Sequence, residues 1–475
     1  MTCESNVLAH APGADHRRPM VELLTLAAPT VAQMASYTVL QFTDTYMLAL
    51  VSPVHATAAG NAGMFAFSFI GFGMGVLHLV NTLASQSFGA QRFEQCGRYL
   101  WQGVWFSVAF ALLILPTIAV ARFPFVWSGH EPELASMEVT YYRVMLCGAV
   151  FKLTSMAFGQ FLLAVNRPGL VLVAAATSVP VNVLANWVLI YGNWGSPAMG
   201  VAGAAWGTNL ALLSETIILA AFAFGPAVGR RFGVFDWRLR FDEMKTLLKV
   251  GTPAGGQFVA DITAWTLFMM TVMGVFGTAA MAANTFAFRF WVASFMPAFG
   301  ISSAVTALVG RYIGMGRPDL AARRAHLGFF VGATYMVSCG VVFLLLRYRF
   351  MRLFTEDPEI IRIGATVLVF AAIFQFFDAL YVIYNGALRG AGDTLVPAVA
   401  VLVLCWGITV FGGYAVAKTF PQFGPAGPWF MAMLYGIVLG AFIFTRFQRG
   451  HWRSIRLEHG GQADRLPGFE PIVAK

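Results

Sequence analysis

Charge is what this sequence has least of. Only 11% of its 475 residues are Asp, Glu, Lys or Arg, while 58% are hydrophobic, and the mean hydropathy is +0.70. Soluble domains carry about 25% charged residues, so a water-soluble globular fold is excluded. Cysteine is scarce as well. The five (Cys3, Cys96, Cys147, Cys339 and Cys405) show no metal-ligand spacing, and four lie in or beside apolar stretches, where cysteine serves as a small packing residue. There is no HExxH, no GxxxxGK(S/T) and no Cys/His nucleophile arrangement. A membrane-embedded enzyme therefore lacks supporting residues, and no cofactor is expected. No repeated filter-like loop suggests a channel. The first nineteen residues lack the apolar core and cleavage site of a signal peptide, so 1–19 are expected to be a loose tail.

What is present is long apolar stretches, each enough for the ~20 residues of helix that cross a hydrocarbon core. They run over 24–50, 57–85, 99–121, 140–165, 170–191 and 200–224, then 247–275, 281–310, 325–346, 360–388, 394–416 and 427–446. The order repeats. LLTLAAPTVAQ (23–33) is answered by LLKVGTPAGGQ (247–257), FAFSF (65–69) by FAFRF (286–290), and Gly89 and Arg92 by Gly314 and Arg317. QFLLAVNRP (160–168) is answered by GALRGAGDT (386–394). Four matches in order at a nearly constant offset make an internal duplication. The expected fold is an all-α integral membrane protein of twelve transmembrane helices, built as two six-helix bundles. Six crossings return the chain to its starting side, so the bundles share one orientation and are related by a pseudo-twofold along the membrane normal.

The boundaries follow: a tail 1–19, a first lobe 20–224, a linker 225–246, a second lobe 247–450 and a tail 451–475. The linker is long enough to let the lobes move. The Lys/Arg bias of the loops places both termini in the cytoplasm of a cell (inner) membrane protein. Arg17/Arg18, Arg92/Arg98, Arg167, the basic stretch 230–245 and Arg311/Arg317/Arg323/Arg324 fall inside, while loops 51–56, 192–199 and 276–280 carry no Lys or Arg. The loop 347–362 dissents, with four arginines beside three acids. The net charge of +9 (31 Lys and Arg against 22 Asp and Glu) is then mostly topology, not a nucleic-acid footprint. A monomer is the default, since the repeat supplies both halves.

Ionisable groups at membrane depth cost roughly 2.5–3.5 kcal/mol each on insertion scales, so they usually serve something. Here they are Asp44, Glu215, Asp261, Asp378, Lys152 and Arg289, with His78 between. On the first span Gln33, Tyr37 and Asp44 fall within about 40° of one another, with Gln41 slightly further round. On the tenth, Asp378, Asn385 and Arg389 do the same. Asp261 lies four residues after Gln257 and eight after Pro253, which kinks the span and is expected to free a carbonyl near the acid. Paired carboxylates with amides and carbonyls suit a proton relay or a hard cation such as Na⁺, so Asp261 and Asp378 are the candidate Na⁺ site. The alternative is that either acid simply pairs with Arg289. Glu215 and Lys152 read as a structural pair, and His78, Asn81 and Ser85 as helix–helix hydrogen bonding.

The residues carry a resemblance. The pattern Pro-x₃-Gln in both halves (Pro29–Gln33, Pro253–Gln257), FTDT (42–45), TLASQSFGA (82–90), PVNVLANWVLIYG (180–192), PAMGVAGAAWGT (197–208), VGRYIG (309–314) and DALYVIYNGALRGAGD (378–393) resemble the multidrug and toxic compound extrusion (MATE) family. Coverage runs from about residue 20 to 450. The resemblance implies a polyspecific antiporter exporting amphiphilic organic cations against inward Na⁺ or H⁺. It implies ion coupling at Asp261, Asp378 and Asp44, and a cavity lined by Gln33, Tyr37, Gln41, Gln257, Asn284, Arg289 and Asn385. Pro29, Pro253, Asn182 and Asn186 belong to its structural motifs. Asp261 stands where the NorM-type branch usually has Glu. Asn186 stands where the DinF-type branch has an acid, which favours coupling in the second half. A lipid-linked oligosaccharide flippase of the same superfamily is the alternative, but would be expected to cluster arginines in its cavity.

Overall fold

The computed structural model describes residues 19–127, 130–455 and 457. Most of the tails expected at 1–19 and 451–475, with Cys3, Arg17, Arg18 and Arg456, lies outside the described residues. Eleven helices are long and apolar enough to cross a membrane, and a bent pair makes up to twelve. They are α1 (Pro19–Ala49), α2 (Pro53–Gly89), α3 (Phe93–Val120), α4 (Pro132–Cys147 with Ala149–Ala164), α5 (Pro168–Tyr191) and α6 (Val201–Phe224). The second half gives α7 (Phe241–Phe276), α8 (Thr278–Gly314), α9 (Pro318–Arg352), α10 (Pro358–Ala391), α11 (Leu395–Thr419) and α12 (Ala426–Gln448). No strand occurs among the described residues.

Local chemistry sets the ends. Proline opens α2, α4, α5, α9 and α10, where its missing N–H has no helical partner to lose. Asp357, in the charged loop before α10, accepts the Glu359 N–H at 2.8 Å, so part of that loop's acidity is a helix cap. Four connections repeat one turn: Gln91, Asn166, Gly316 and Gly392 all take positive φ. In each, the residue after the left-handed one bonds back to the helix it leaves, as Arg92 N–H does to Ser87 O and Arg317 N–H to Tyr312 O. The bend of α4, 43°, has a cause on α6. Asn209 reaches into the ladder, its amide donating to Val144 O at 2.7 Å, and a side chain at Gly148 would collide with it.

The helix neighbourhoods obey the duplication. In the first half α2 packs on α3 and α4, α5 on α6 and α1; in the second α8 packs on α9 and α10, α11 on α12 and α7. Two large hydrophobic cores result, one drawn mainly from each half, the first taking in Leu247, Val250 and Ala254 of α7 and the second Leu23, Leu26 and Ala27 of α1. Between them α1 lies on α8 and α2 on α7, a pair of contacts exchanged by the pseudo-twofold. The seam is glycine-tight and symmetric. A Cβ at Gly89 would collide with Arg311 O, and one at Gly314 would collide with Gln86 O. The same exchange brings Gly75 onto Gly255 and Gly300 onto Thr30 and Val31.

These contacts gather at one end. Every residue from Gly75 to Ser85 and from Gly300 to Tyr312 is buried, while the opposite ends of α2 and α8 are largely half-buried or exposed. The lobes are thus shut at the Gly89/Gly314 end and parted at the Pro53/Thr278 end. The connection between α6 and α7 is fastened along α3. Trp101 Nε1 donates to Val234 O at 2.6 Å, Trp105 Nε1 to Trp237 O at 3.0 Å, and Gln102 bonds both Arg238 O and the Arg240 N–H. Beside it, the hydrogen bond from Arg240 holds the Asp236 carboxyl below its ordinary range.

Candidate functional site

The second half assembles its acids around α7. Asp261 is half-buried there, with the Cys405 thiol 3.8 Å from Oδ1 and the Trp406 indole donating to Ala260 O at 3.2 Å. One turn earlier, Gln257 donates to the Tyr381 hydroxyl at 3.1 Å, tying α7 to α10. Three residues before Tyr381, Asp378 is 3% exposed and its Oδ2 has no hydrogen-bond partner among the described residues. Asp378, Tyr381 and Tyr435 lie within the field of Asp261. Asn385 is buried two turns further along α10. Two carboxylates, phenol oxygens and amides thus lie on the facing helices α7 and α10 and on α12. No group of three or more His, Cys, Asp or Glu with metal-holding geometry occurs among the described residues.

Both helices beside Asp261 depart from α geometry. Phe268–Val272 of α7 and Cys405–Gly412 of α11 are π-helical, a winding that is rare and concentrates at functional sites. Periodicity gives no sign of it. Pro253 acts elsewhere: the carbonyl it leaves is that of Lys249, about 18 Å along the helix from Asp261 at 1.5 Å per residue. Near that end, Thr394 donates to Val250 O at 2.7 Å.

In the first half, Asp44 is caged. Asn186 donates to one carboxylate oxygen at 2.5 Å and Thr208 to the other at 2.7 Å, with Asn182 accepting from Asn186 at 3.3 Å. Nothing in the sequence singles out Thr208, although it ends the PAMGVAGAAWGT motif. The polar stripe of α1 divides. Tyr37 turns to α6 and donates to Glu215 at 2.6 Å, Gln33 donates to Tyr37 at 3.2 Å, and Gln41 is exposed. Pro29 precedes Thr30, whose hydroxyl bonds Gly300 O across the seam at 2.9 Å.

Other candidates fall outside these two clusters. Asn284 is buried, accepting from the Trp429 indole at 2.9 Å. Arg289 is exposed, and no ion pair joins it to Asp261 or Asp378 among the described residues. Asn81 donates to Ser303 O at 3.3 Å, across the lobes. At the shut end Glu22 of α1 is buried against Arg324 of α9 at 2.7 Å and Tyr312 of α8 at 2.9 Å. No local pattern marks Glu22 for this role, because its partners lie some 290 residues away.

The MatE family profile matches residues 29–188 and 258–415, one stretch in each half and together more than half of the chain. A probable multidrug resistance protein NorM of Mesorhizobium japonicum is 28% identical over 93% of this chain and 96% of its own length. One of Pseudomonas putida is 30% identical over 93% and 97%. Among solved structures, the eukaryotic MATE transporter AtDTX14 superposes with a TM-score of 0.83 at 15% identity, covering 92% of this chain and 97% of its own. A MOP superfamily transporter from Pyrococcus furiosus gives 0.82 at 18%, covering 92% and 97%. The chain belongs to the MatE family, whose members are membrane transporters and not enzymes.

Proposed function

We propose that this protein exports amphiphilic organic cations in exchange for inward Na⁺ or H⁺, by alternating access, as a monomer in the cell (inner) membrane with both termini cytoplasmic. The names of its NorM relatives support multidrug efflux. The observation that carries the coupling is Asp378: a buried carboxylate with an oxygen that lacks a partner among the described residues, in the field of Asp261. In this orientation the shut Gly89/Gly314 end is cytoplasmic and the cleft faces outward. The ion binds at Asp261 and Asp378 from outside, drug is released, and the lobes rock. Facing in, the ion leaves and the exposed negative charge attracts the next cation. A charge crossing inward gains about 2.3 kcal/mol per 100 mV, but one-for-one exchange with a monovalent cation is electroneutral, so the ion's concentration gradient, about 1.4 kcal/mol per tenfold, drives export alone. The flippase alternative is not favoured, since its candidate arginines, Arg143 and Arg289, are exposed and lie in different halves.

The test is ethidium efflux from proteoliposomes under a Na⁺ gradient, then under a pH gradient. One gradient should drive efflux, and Asp378→Asn should abolish it while the protein stays in the membrane. Wild-type efflux by that variant would overturn the carboxylate mechanism.

A further inference from the structure

The shut end carries more positive charge than its acids balance. A cavity of about 430 Å³ opens there between the start of α1 and the first turns of α9, lined by Pro19, Arg317, Leu320, Arg323, Arg324 and Leu327. Arg324 is 4% exposed and holds Glu22 at 2.7 Å, and Arg311 stands 3.9 Å from the same carboxylate. One acid thus serves two guanidiniums. Asp319, the acid of α9's first turn, is taken by Arg453 at 3.1 Å. Arg323 is exposed and has no ion pair or hydrogen bond among the described residues.

The duplication shows what this position lacks. Arg92 and Arg317 are equivalents, and six residues further on stand Arg98 of α3 and Arg323 of α9. Arg98 lies 3.8 Å from Glu94, 3.9 Å from Asp236 of the linker and 3.8 Å from Glu243 of α7. The equivalent of Glu94 is Asp319, already engaged by Arg453, and no linker acid reaches Arg323 among the described residues. Arg323 is the uncompensated copy of a compensated charge.

Depth and chemistry then define the partner. The apolar stretch of α9 begins at 325, so Arg317–Arg324 stand at the level of the lipid headgroups, where anionic lipids attract basic residues. Arg317, Leu320, Arg324 and Leu327 follow one another at helical spacing, guanidinium alternating with leucine on one face. A guanidinium fork matches a phosphate, while the leucines need an apolar neighbour that a soluble anion does not supply. We propose that this cavity binds an anionic phospholipid, its phosphate on Arg323 beside Arg317 and an acyl chain running over Leu327 into the bilayer. Because the cavity is walled by α1 of one lobe and α9 of the other, the lipid braces the shut end alongside the Glu22–Arg324 pair. This goes beyond the export reading and does not depend on it, since binding is read without transport.

The test is native mass spectrometry of the purified full-length protein in detergent, titrated with phosphatidylglycerol and with phosphatidylcholine of the same acyl chains. Phosphatidylglycerol should bind more tightly. Arg323→Gln, an exposed change whose fold is checked by its melting temperature, should weaken that binding about fivefold, the ~1 kcal/mol that one basic residue is worth near anionic lipid, and leave phosphatidylcholine unchanged. Arg230→Gln, at an exposed arginine of the linker, should bind phosphatidylglycerol as wild type does. Equal binding of the two lipids, or wild-type affinity in a folded Arg323→Gln, overturns the site. An equal loss in Arg230→Gln reduces it to general surface charge and overturns it too. Full displacement of phosphatidylglycerol by inorganic phosphate would assign the arginines to a free anion and overturn the lipid.

Discussion

Asp44 shows how a residue's role is set by what reaches it. Its carboxylate lies in the first-lobe core, and its two oxygens are taken by donors from α5 and α6, 142 and 164 residues away. Hydrogen bonds to a charged group are worth about 1.5–3 kcal/mol each. Thr208→Val, nearly isosteric but without the hydroxyl, should therefore cost about 2 kcal/mol and lower the melting temperature of the purified protein. An unchanged melting temperature would show that the hydroxyl does not hold the acid. Asp44 is legible in the sequence as a deep acid on a polar face, because helical spacing is enough to find one. Thr208 is not, since nothing local distinguishes it from the other threonines along these helices. The same holds for the division of Tyr37 from Asp44, two residues that share a face yet bond to different sites on α6.

Helices meet across the seam through devices that single positions control. Glu22 joins α1 to α8 and α9, its side chain and that of Arg324 being 6% and 5% exposed. Breaking a buried ion pair by removing one charge costs about 3–5 kcal/mol. If the lobes part at this end during transport the pair must break, so Glu22→Gln should move the population toward the arrangement open there. Spin labels at Glu94 and Asp319, exposed residues at the starts of α3 and α9, would then report a longer distance. Gly314→Ala should move it the same way, since its methyl would collide with Gln86 O. An unchanged distance distribution in both variants would show that neither device governs closure. The repeat alone marks Gly89 and Gly314 as equivalents. What each touches is hidden from the sequence, because pairing across a seam is set by how two lobes dock and not by the periodicity of either helix. The bend of α4 is hidden for a similar reason, its cause being Asn209 on another helix.

At the scale of the molecule the chain is a duplicated object with one seam between its halves. Twelve apolar stretches and a constant offset make the fold legible, since burial in lipid forces helices and duplication fixes their order. The linker is legible as a hydrophilic stretch but not in its behaviour: the Trp101, Gln102 and Trp105 side chains bind it along α3, so freedom between lobes is left to its last residues before α7. If transport is rocking about the seam, covalently joining the lobes at the shut end must stop it without harming either lobe. Ser85 of α2 and Gly310 of α8 offer the place, since a Cβ built on Gly310 lies 3.0 Å from Ser85 Cβ. A disulfide needs about 3.5–4.5 Å, a few tenths of an ångström of adjustment between two helices. Ser85→Cys with Gly310→Cys, oxidised in proteoliposomes, should lose ion-driven ethidium efflux and regain it on reduction. Wild type, whose Cys147 is exposed and whose Cys96 and Cys405 are buried, should be indifferent to the same oxidant. Undiminished efflux from fully cross-linked protein would mean that the seam between α2 and α8 does not open during transport, and the alternating lobes would have to be abandoned for a path within one of them.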